Sequence, residues 1–340
     1  LRLFLLSMLP FAGSIWPSVF PYCFANVALM VVLKKLQQND IVDWGINSLG
    51  HTFAGVIVSF LVVSRINTSM ARYSQTRGFI GIMYQACRET VQNTLVLSKR
   101  YDNNNDTAAK EWRNEVAYRA LLLLRASVAV VEFDSHQIPA WEIYEMSGVN
   151  EFKYCRPTEA WRRYQLTPNT ARTHSMKVPH RVAYLLRESI LSGATRLQTP
   201  IHVAQENRIL ANVDQFLSGY YGMRKFMTTP VPFPLIQMTL TIVLIYVFTI
   251  PFVFLQDTSD MLYEHCVVVF FLTYGFMGLE MVSIGLDDPF GKDPNDFDVR
   301  AYAKVAVEDV YLLVHDADGE VWADSLMDKM TRNAPKPSAN

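Results

Sequence analysis

Three long stretches of this chain carry no charged side chain, and a fourth carries charge only near its ends. The first covers residues 15–33, 19 positions closed by Lys34 and Lys35, about the length of one helical bilayer crossing. Its Pro17 and Pro21 fall in the first turns, where a helix tolerates them. A polar link over residues 37–45 leads to a second uncharged run at 46–64. The third, residues 231–255, is 25 positions long and gives the strongest membrane signal in the chain. It opens on Thr228-Thr229-Pro230-Val231-Pro232-Phe233-Pro234, a proline-rich knot of the kind that sets a first helical turn. Asp257 and Asp260 mark a short turn before the fourth run at 261–282, which carries Glu264 near its start and Glu280 near its end. The pattern predicts an all-α, multi-pass membrane protein with four transmembrane helices.

Between the second and third runs the periodicity changes. Arg65, Asn67, Arg72 and Arg77 follow the second run with no Gly or Pro before Gly78, so that helix is expected to leave the membrane unbroken. Residues 78–227 alternate amphipathic runs with polar breaks, as at 108–131, 178–197 and 201–226. Apolar positions recur at helical spacing, for example Leu121, Leu124, Val128 and Val131, and strand-like alternation is scarce. This predicts one helical cytosolic domain, with a polar turn at 102–106, a further amphipathic helix at 299–314 and a disordered tail from 331. The expected organisation is 1–76 with spans one and two, 77–228 helical, 229–284 with spans three and four, 285–298 an acidic loop, and 299–340 a C-terminal helix and tail. Basic residues near span ends orient the chain. Arg65, Arg72, Arg77, Arg224 and Lys225 put the central domain, the acidic loop and both termini on the inner side, against the dissent of Lys34 and Lys35.

Composition narrows the class without changing it. Hydrophobic residues make up 50% and charged residues 19% at a net charge of −1, which excludes a disordered chain and a nucleic-acid binder. A mean hydropathy of +0.10 fits a few spans joined to a sizeable polar domain. Cys23, Cys87, Cys155 and Cys266 form no C-x-x-C pair and point to neither a zinc site nor a disulfide framework. The chain opens on Leu1 rather than Met, so a trimmed N-terminus is expected and any targeting peptide is out of view.

Candidate chemistry concentrates in residues 285–298, Gly285-Leu286-Asp287-Asp288-Pro289-Phe290-Gly291-Lys292-Asp293-Pro294-Asn295-Asp296-Phe297-Asp298. Its prolines and glycines read as a tight turn that stops the fourth helix. Asp293 and Asp296, three apart, are placed to meet one hard cation while nearby carbonyls complete an oxygen shell, and calcium is the natural ion. The alternative is a solvated acidic helix cap. An EF-hand loop is excluded, because Val299 and Lys304 stand where the bidentate Glu would be needed.

An apolar helix running into D-P-F-G-x-D-x-x-D-F resembles the calcium-clasp segment of the bestrophins, a family of pentameric anion channels. Gly13-Ser14-Ile15-Trp16-Pro17 is similar to the family's motif before span one, and the T-P-x-P-F wording of the knot is similar to the base of its third span. The resemblance runs from Gly13 to about Asp298, with the motifs in the family's order. It implies a homopentamer in a lipid bilayer that conducts chloride or bicarbonate and is modulated by calcium. It implies calcium ligands at the Asp293 and Asp296 side chains and the Gly285 and Asp288 carbonyls, with a neighbouring subunit's N-terminal carbonyl, whose counterpart would precede Leu1, completing the shell. The wording of the acidic stretch is closest to algal, chloroplast-type members, which implies a thylakoid membrane ahead of a plasma membrane.

Val56, Phe60 and Ser64 recur at i, i+4 and i+8 and share one stripe of the second span, a pattern that ordinary helix packing also produces. Counted back from Arg72, where the family has the arginine of its R-W-W motif, the three fall on the family's pore neck. Ser64 departs from the family's usual aromatic, and Arg72-Tyr73-Ser74 replaces its tryptophan pair. A second constriction, the cytosolic aperture, falls on Ala204 by spacing from the knot or on Ile201 by the local T-P-I wording. Two rival functions remain. An intramembrane enzyme would use His51, His265 and Ser59, which lack any G-x-S-x-G or H-E-x-x-H context. A calcium-binding membrane scaffold would keep the acidic site and have no pore.

Overall fold

The computed structural model describes residues 13–39, 44–101, 106–136, 172, 175–256, 262–290 and 295–331. Among them the regular structure is helical throughout: α1 Trp16–Gln38, α2 Ser48–Tyr101, α3 Thr107–His136, α4 Val178–Leu191, α5 Gly193–Arg196, α6 Val203–Thr228, α7 Phe233–Phe254, α8 Leu262–Asp287, α9 Val299–Asp318 and α10 Glu320–Thr331. Four helices, α1, α2, α7 and α8, are long and apolar enough to cross a membrane. The chain divides into two compact units. One comprises Leu1–Gln75 with Phe226–Asp296, and the other Thr76–Lys225 with Phe297–Asn340.

The first unit is a bundle of the four apolar helices around one core. Val19 and Cys23 of α1, Val58 and Val62 of α2, Val243 and Val247 of α7, and Met277 of α8 form a single buried cluster. A close approach of α2 and α7 requires Gly55, since a Cβ there would lie 2.5 Å from Tyr246 Oη. Polar bonds join the spans where hydrocarbon would otherwise leave backbone groups unsatisfied. Pro251 inside α7 has no N–H to give the carbonyl of Val247, and the fully buried Asn26 of α1 donates its Nδ2 to that oxygen at 3.0 Å. The same amide also donates to Thr273 Oγ1 on α8 at 2.8 Å.

The second unit is organised around α3, which is apolar almost all round and correspondingly buried, Leu121, Leu122, Leu123 and Leu124 included. Trp112 donates Nε1 to the Ser189 carbonyl of α4 at 2.8 Å. Arg113 pairs with Asp318 at the end of α9 through bonds of 2.7 and 2.8 Å, both side chains out of water. Glu132 sits between Arg125 and Arg300, 3.2 and 2.8 Å away. Burial pushes its carboxyl up, and the two guanidinium groups outweigh that and hold it below the ordinary value. Burial also pushes the Cys87 thiol up to about 12, so this cysteine is a packing residue rather than a reactive one.

Several expected boundaries move. Helix α2 leaves the membrane unbroken, as expected, and continues through Gly78 and Gly81 to Tyr101, 54 residues or about 80 Å. Two isolated glycines cost about 1 kcal/mol each in a helix, too little to end one with buried residues such as Met83, Cys87 and Val91 beyond them. The run 178–197 divides at Ser192 into α4 and α5, and the C-terminal helix extends to Asp318 and is followed by α10. Helix α8 runs through Gly285 to Asp287, so the acidic turn begins three residues later than expected. The turns expected at 102–106 and 257–260 and the tail expected from 331 fall largely outside the described residues.

Candidate functional site

Helix α2 buries one face and exposes the opposite one. Gly55, Val58, Val62, Arg65 and Ser69 point into the bundle, whereas Val56, Phe60 and Ser64 stand on the exposed face, with Val56 at 66% and Phe60 at 73% relative exposure. The three stripe residues are therefore free of packing among the described residues. The same face continues past Ser64 into Asn67, Thr68, Arg72 and Gln75, which line one shallow hollow with Phe60 and Ser64. The Ser64 side chain makes no hydrogen bond among the described residues, while its carbonyl accepts the Thr68 hydroxyl at 2.9 Å.

Up to Arg88 the charge along this helix has one sign. From Trp44 to Arg88 the sequence contains no Asp or Glu, and Arg65, Arg72, Arg77 and Arg88 supply four positive charges. Arg72 is anchored to the proline knot: its Nη2 donates to the Thr229 carbonyl at 2.9 Å, and its guanidinium lies 5.1 Å from the Phe226 ring centroid. The knot itself gives α7 its first turn, with Pro232 at the N-cap and a proline inside the opening turn.

At the end of α8 the acidic residues divide by role. Asp287 is held by Arg65 and Ser69 on α2 and is not a free ligand. Asp288 is exposed and accepts the Phe290 N–H through Oδ1 at 3.4 Å. The Gly285 carbonyl lies in the last helical turn, and the residue four positions on is Pro289, which has no N–H to offer it. Asp296 is half-buried. Asn295 donates Nδ2 to the Gly13 carbonyl at 3.1 Å, and its own carbonyl accepts from Tyr73 Oη at 3.1 Å, so this segment touches both the start of α1 and the exposed part of α2. Gly13 is in the left-handed region at φ 78°, which explains a glycine before Ser14. Asp298 caps α9, accepting the Ala301 N–H at 2.8 Å, so the cap reading holds for that one aspartate. Asp293 lies outside the described residues, and among the described residues no group of three or more His, Cys, Asp or Glu is placed to hold a metal. The exposed Gly285 carbonyl and the half-buried Asp296 carboxylate are oxygen groups of the kind a hard cation takes.

Ile201 is half-buried just before α6, and Ala204 is exposed in its first turn, where its N–H is capped by His202 Nδ1 at 3.2 Å. His51 stacks on Tyr246 at a centroid distance of 4.3 Å, with Nε2 3.1 Å from Thr249 Oγ1. Ser59 is eight residues further along the same helix, about 12 Å of rise, so the two are not a catalytic pair. His265 is buried, 5.1 Å from the Phe254 ring.

Fold and site together define an integral membrane protein of four spans with an exposed, acid-free face on its second span. The family model described as Bacterial/Fungal Bestrophin protein matches residues 2–311. A crystal structure of a bacterial bestrophin homologue from Klebsiella pneumoniae, phased on zinc, superposes with a TM-score of 0.65 at 15% identity, over 87% of this chain and 98% of that one. A variant of the same homologue gives 0.64 at 17% identity, over 87% and 99%. A structure described only as a membrane protein gives 0.63 at 17%, over 89% and 98%. A search of curated proteins found no match. The chain belongs to the bestrophin family, and its fold is that of a bestrophin-type channel.

Proposed function

We propose that the protein is a passive anion channel, a homopentamer in which the exposed faces of five α2 helices surround the axis. The observation that carries this reading is the face itself. In the single chain Phe53, Val56, Ile57 and Phe60 are each more than 60% exposed, on the same face as the polar Ser64, Asn67 and Arg72, and a ring of copies would bury them around a narrow apolar neck. An anion passes such a neck along ring edges, the positive part of an aromatic quadrupole, with no fixed charge to hold it there. The absence of carboxylates from Trp44 to Arg88, with Arg72 two turns past Ser64, gives the pathway a potential that favours anions over cations. Five Ser64 hydroxyls would donate to chloride or bicarbonate at the neck's end, each bond contributing about 1 kcal/mol.

The acidic loop is the second part of the reading. Asp293 and Asp296 would hold calcium with the Gly285 and Asp288 carbonyls, and the ion would supply a fixed positive centre at the end of α8. Ile201 or Ala204 would set a further constriction.

Flux from liposomes loaded with chloride, bicarbonate or sodium salts tests the channel, with native mass spectrometry for the assembly. Anion flux from a five-copy particle is expected. No flux from a particle that binds calcium would favour a scaffold instead. Changing Asp293 and Asp296 together to Ala is expected to remove any calcium dependence, and an unchanged response counts against the loop as its site.

A further inference from the structure

Helix α4 keeps two faces apart. Val178, Val182, Ala183, Leu186 and Ile190 are buried. Lys177, His180, Arg181 and Tyr184, at i, i+3, i+4 and i+7, share the opposite face. Lys177 is half-buried there and the other three are exposed, Tyr184 at 54%. The Arg181 guanidinium lies 5.1 Å from the Tyr184 ring centroid, so charge and ring are presented together. No Asp or Glu occurs in the sequence from Ala160 to Arg187, which leaves this face basic and aromatic rather than a mixed solvated one.

The second half of α6 runs beside α4 in the opposite direction. Tyr221 Oη and His180 Nδ1 are 3.0 Å apart, and Asp214, two turns earlier on α6, pairs with Arg187, two turns later on α4. The buried Tyr220 donates Oη to the Met176 carbonyl, just ahead of α4, at 2.6 Å. These bonds bring Tyr221, and the exposed Lys225 one turn beyond it, to the basic end of α4. The acids of the two helices stand away from that end. Asp214 is taken by Arg187, Glu188 lies at the far end of α4, and Glu206 precedes Tyr221 by about 22 Å of rise along α6.

The chain leaves this patch directly for the membrane. Helix α6 ends at Thr228, and α7, one of the four candidate spans, begins at Phe233 with no Asp or Glu between it and Lys225. A basic cluster next to a span meets the negative surface potential of anionic lipid. Tyrosine suits the same level of the bilayer, since its ring is apolar and its hydroxyl wet. We propose that the patch binds the phosphate groups of anionic phospholipids in the leaflet that faces it. Lys177, Arg181 and Lys225 supply the charge, and Tyr184 and Tyr221 the interfacial anchors. A lipid is favoured over a soluble polyanion because α7 tethers the patch to the bilayer and raises the effective headgroup concentration. The inference rests on the membrane spans alone and is independent of what the protein conducts.

The test follows thermal unfolding of the full chain in a neutral detergent with short-chain lipids added. Dioctanoyl phosphatidylglycerol is expected to raise the midpoint saturably, while dioctanoyl phosphatidylcholine and inorganic phosphate at the same concentrations leave it in place. Lys177→Gln and Arg181→Gln should each raise the apparent Kd for phosphatidylglycerol about fivefold, the effect of one basic charge near a lipid surface. Added salt should weaken wild-type binding in the same way. Arg196→Gln removes an equal charge from an exposed pair with Glu115, away from the patch, and should leave the Kd unchanged. Tyr184→Asp, which sets a carboxylate on the exposed face, should raise the Kd at least about fivefold and carries the test if the other two fail to fold. No shift with phosphatidylglycerol, or an equal one with phosphatidylcholine, overturns the proposal. An equal shift with inorganic phosphate replaces the lipid with a soluble anion and overturns it too. A shift specific to phosphatidylglycerol that all three patch variants retain puts the lipid elsewhere on the protein and overturns the patch.

Discussion

The contact between Asn26 and the Val247 carbonyl should be worth measuring as a cycle with Pro251. Asn26→Leu keeps the volume close and removes both donors of a side chain that is 0% exposed. The loss at Thr273 is mild, because that hydroxyl keeps its own bond to the Val269 carbonyl at 2.7 Å. The loss at Val247 is not, since Pro251 supplies no N–H and no water replaces it inside the bundle. An unsatisfied buried carbonyl costs about 1–3 kcal/mol, and polar contacts between membrane helices average about 0.6 with a maximum near 1.7. Asn26 Oδ1 is itself buried without a partner among the described residues, so removing it returns part of the cost. The expected net loss is about 1–2 kcal/mol. In a Pro251→Ala background the new N–H can take the Val247 carbonyl, and Asn26→Leu should then cost about 1 kcal/mol less. Denaturant unfolding of the four proteins in one detergent gives the coupling directly. Costs that agree within about 0.3 kcal/mol in both backgrounds would refute the account of that carbonyl.

Other outcomes follow from the same geometry. Gly55→Ala forces a methyl against Tyr246 Oη and should destabilise by about 1–3 kcal/mol, with most of that recovered in a Gly55→Ala, Tyr246→Phe double variant when thermal unfolding is compared. Ser64→Phe is expected to lower bicarbonate permeability relative to chloride, and Phe60→Ala to raise conductance for both with weaker discrimination; equal permeability ratios in wild type and Ser64→Phe, read from reversal potentials, would remove Ser64 from the pathway. Glu132 has its pKa held below 4.5 in the folded chain, so its pairing with Arg125 and Arg300 stabilises above that value and is lost as pH falls through the lowered one. Glu132→Gln should therefore cost about 1 kcal/mol at pH 7 and progressively less as pH falls through the lowered value, as unfolding across a pH series would show.

The four spans were readable because charge-free runs of bilayer length have few other uses in a chain of this composition. The stripe Val56, Phe60, Ser64 was readable as a face, since helical spacing fixes it, but whether that face was buried or open was not, and its exposure came only from the packing of Val58 and Val62 on the other side. How far α2 runs past Gly78 was not readable, because its continuation rests on burial of residues such as Met83 and Cys87 that outweighs the local cost of two glycines. Asn26 and Pro251 were each visible as odd residues in apolar runs, yet nothing local says that one supplies what the other lacks, 221 residues away at Val247. Arg65 was read as a membrane-boundary charge, whereas it is fully enclosed, and the same limit applies: its partners Asp287 and Glu280 are fixed by tertiary packing of α8. In the acidic stretch the sequence could not separate a ligand from a cap, and the structure divides them, with Asp287 bound to Arg65 and Asp298 on the start of α9.

The measurement that bears most directly on the channel reading is the reversal potential of the purified protein in a planar bilayer under a sodium chloride gradient. A pathway lined by the acid-free stretch of α2 before Glu89, with Arg72 at its inner end, should drive the potential toward the chloride equilibrium value, and replacing Arg72 by Gln should weaken that preference. A reversal potential at the sodium equilibrium value would contradict it.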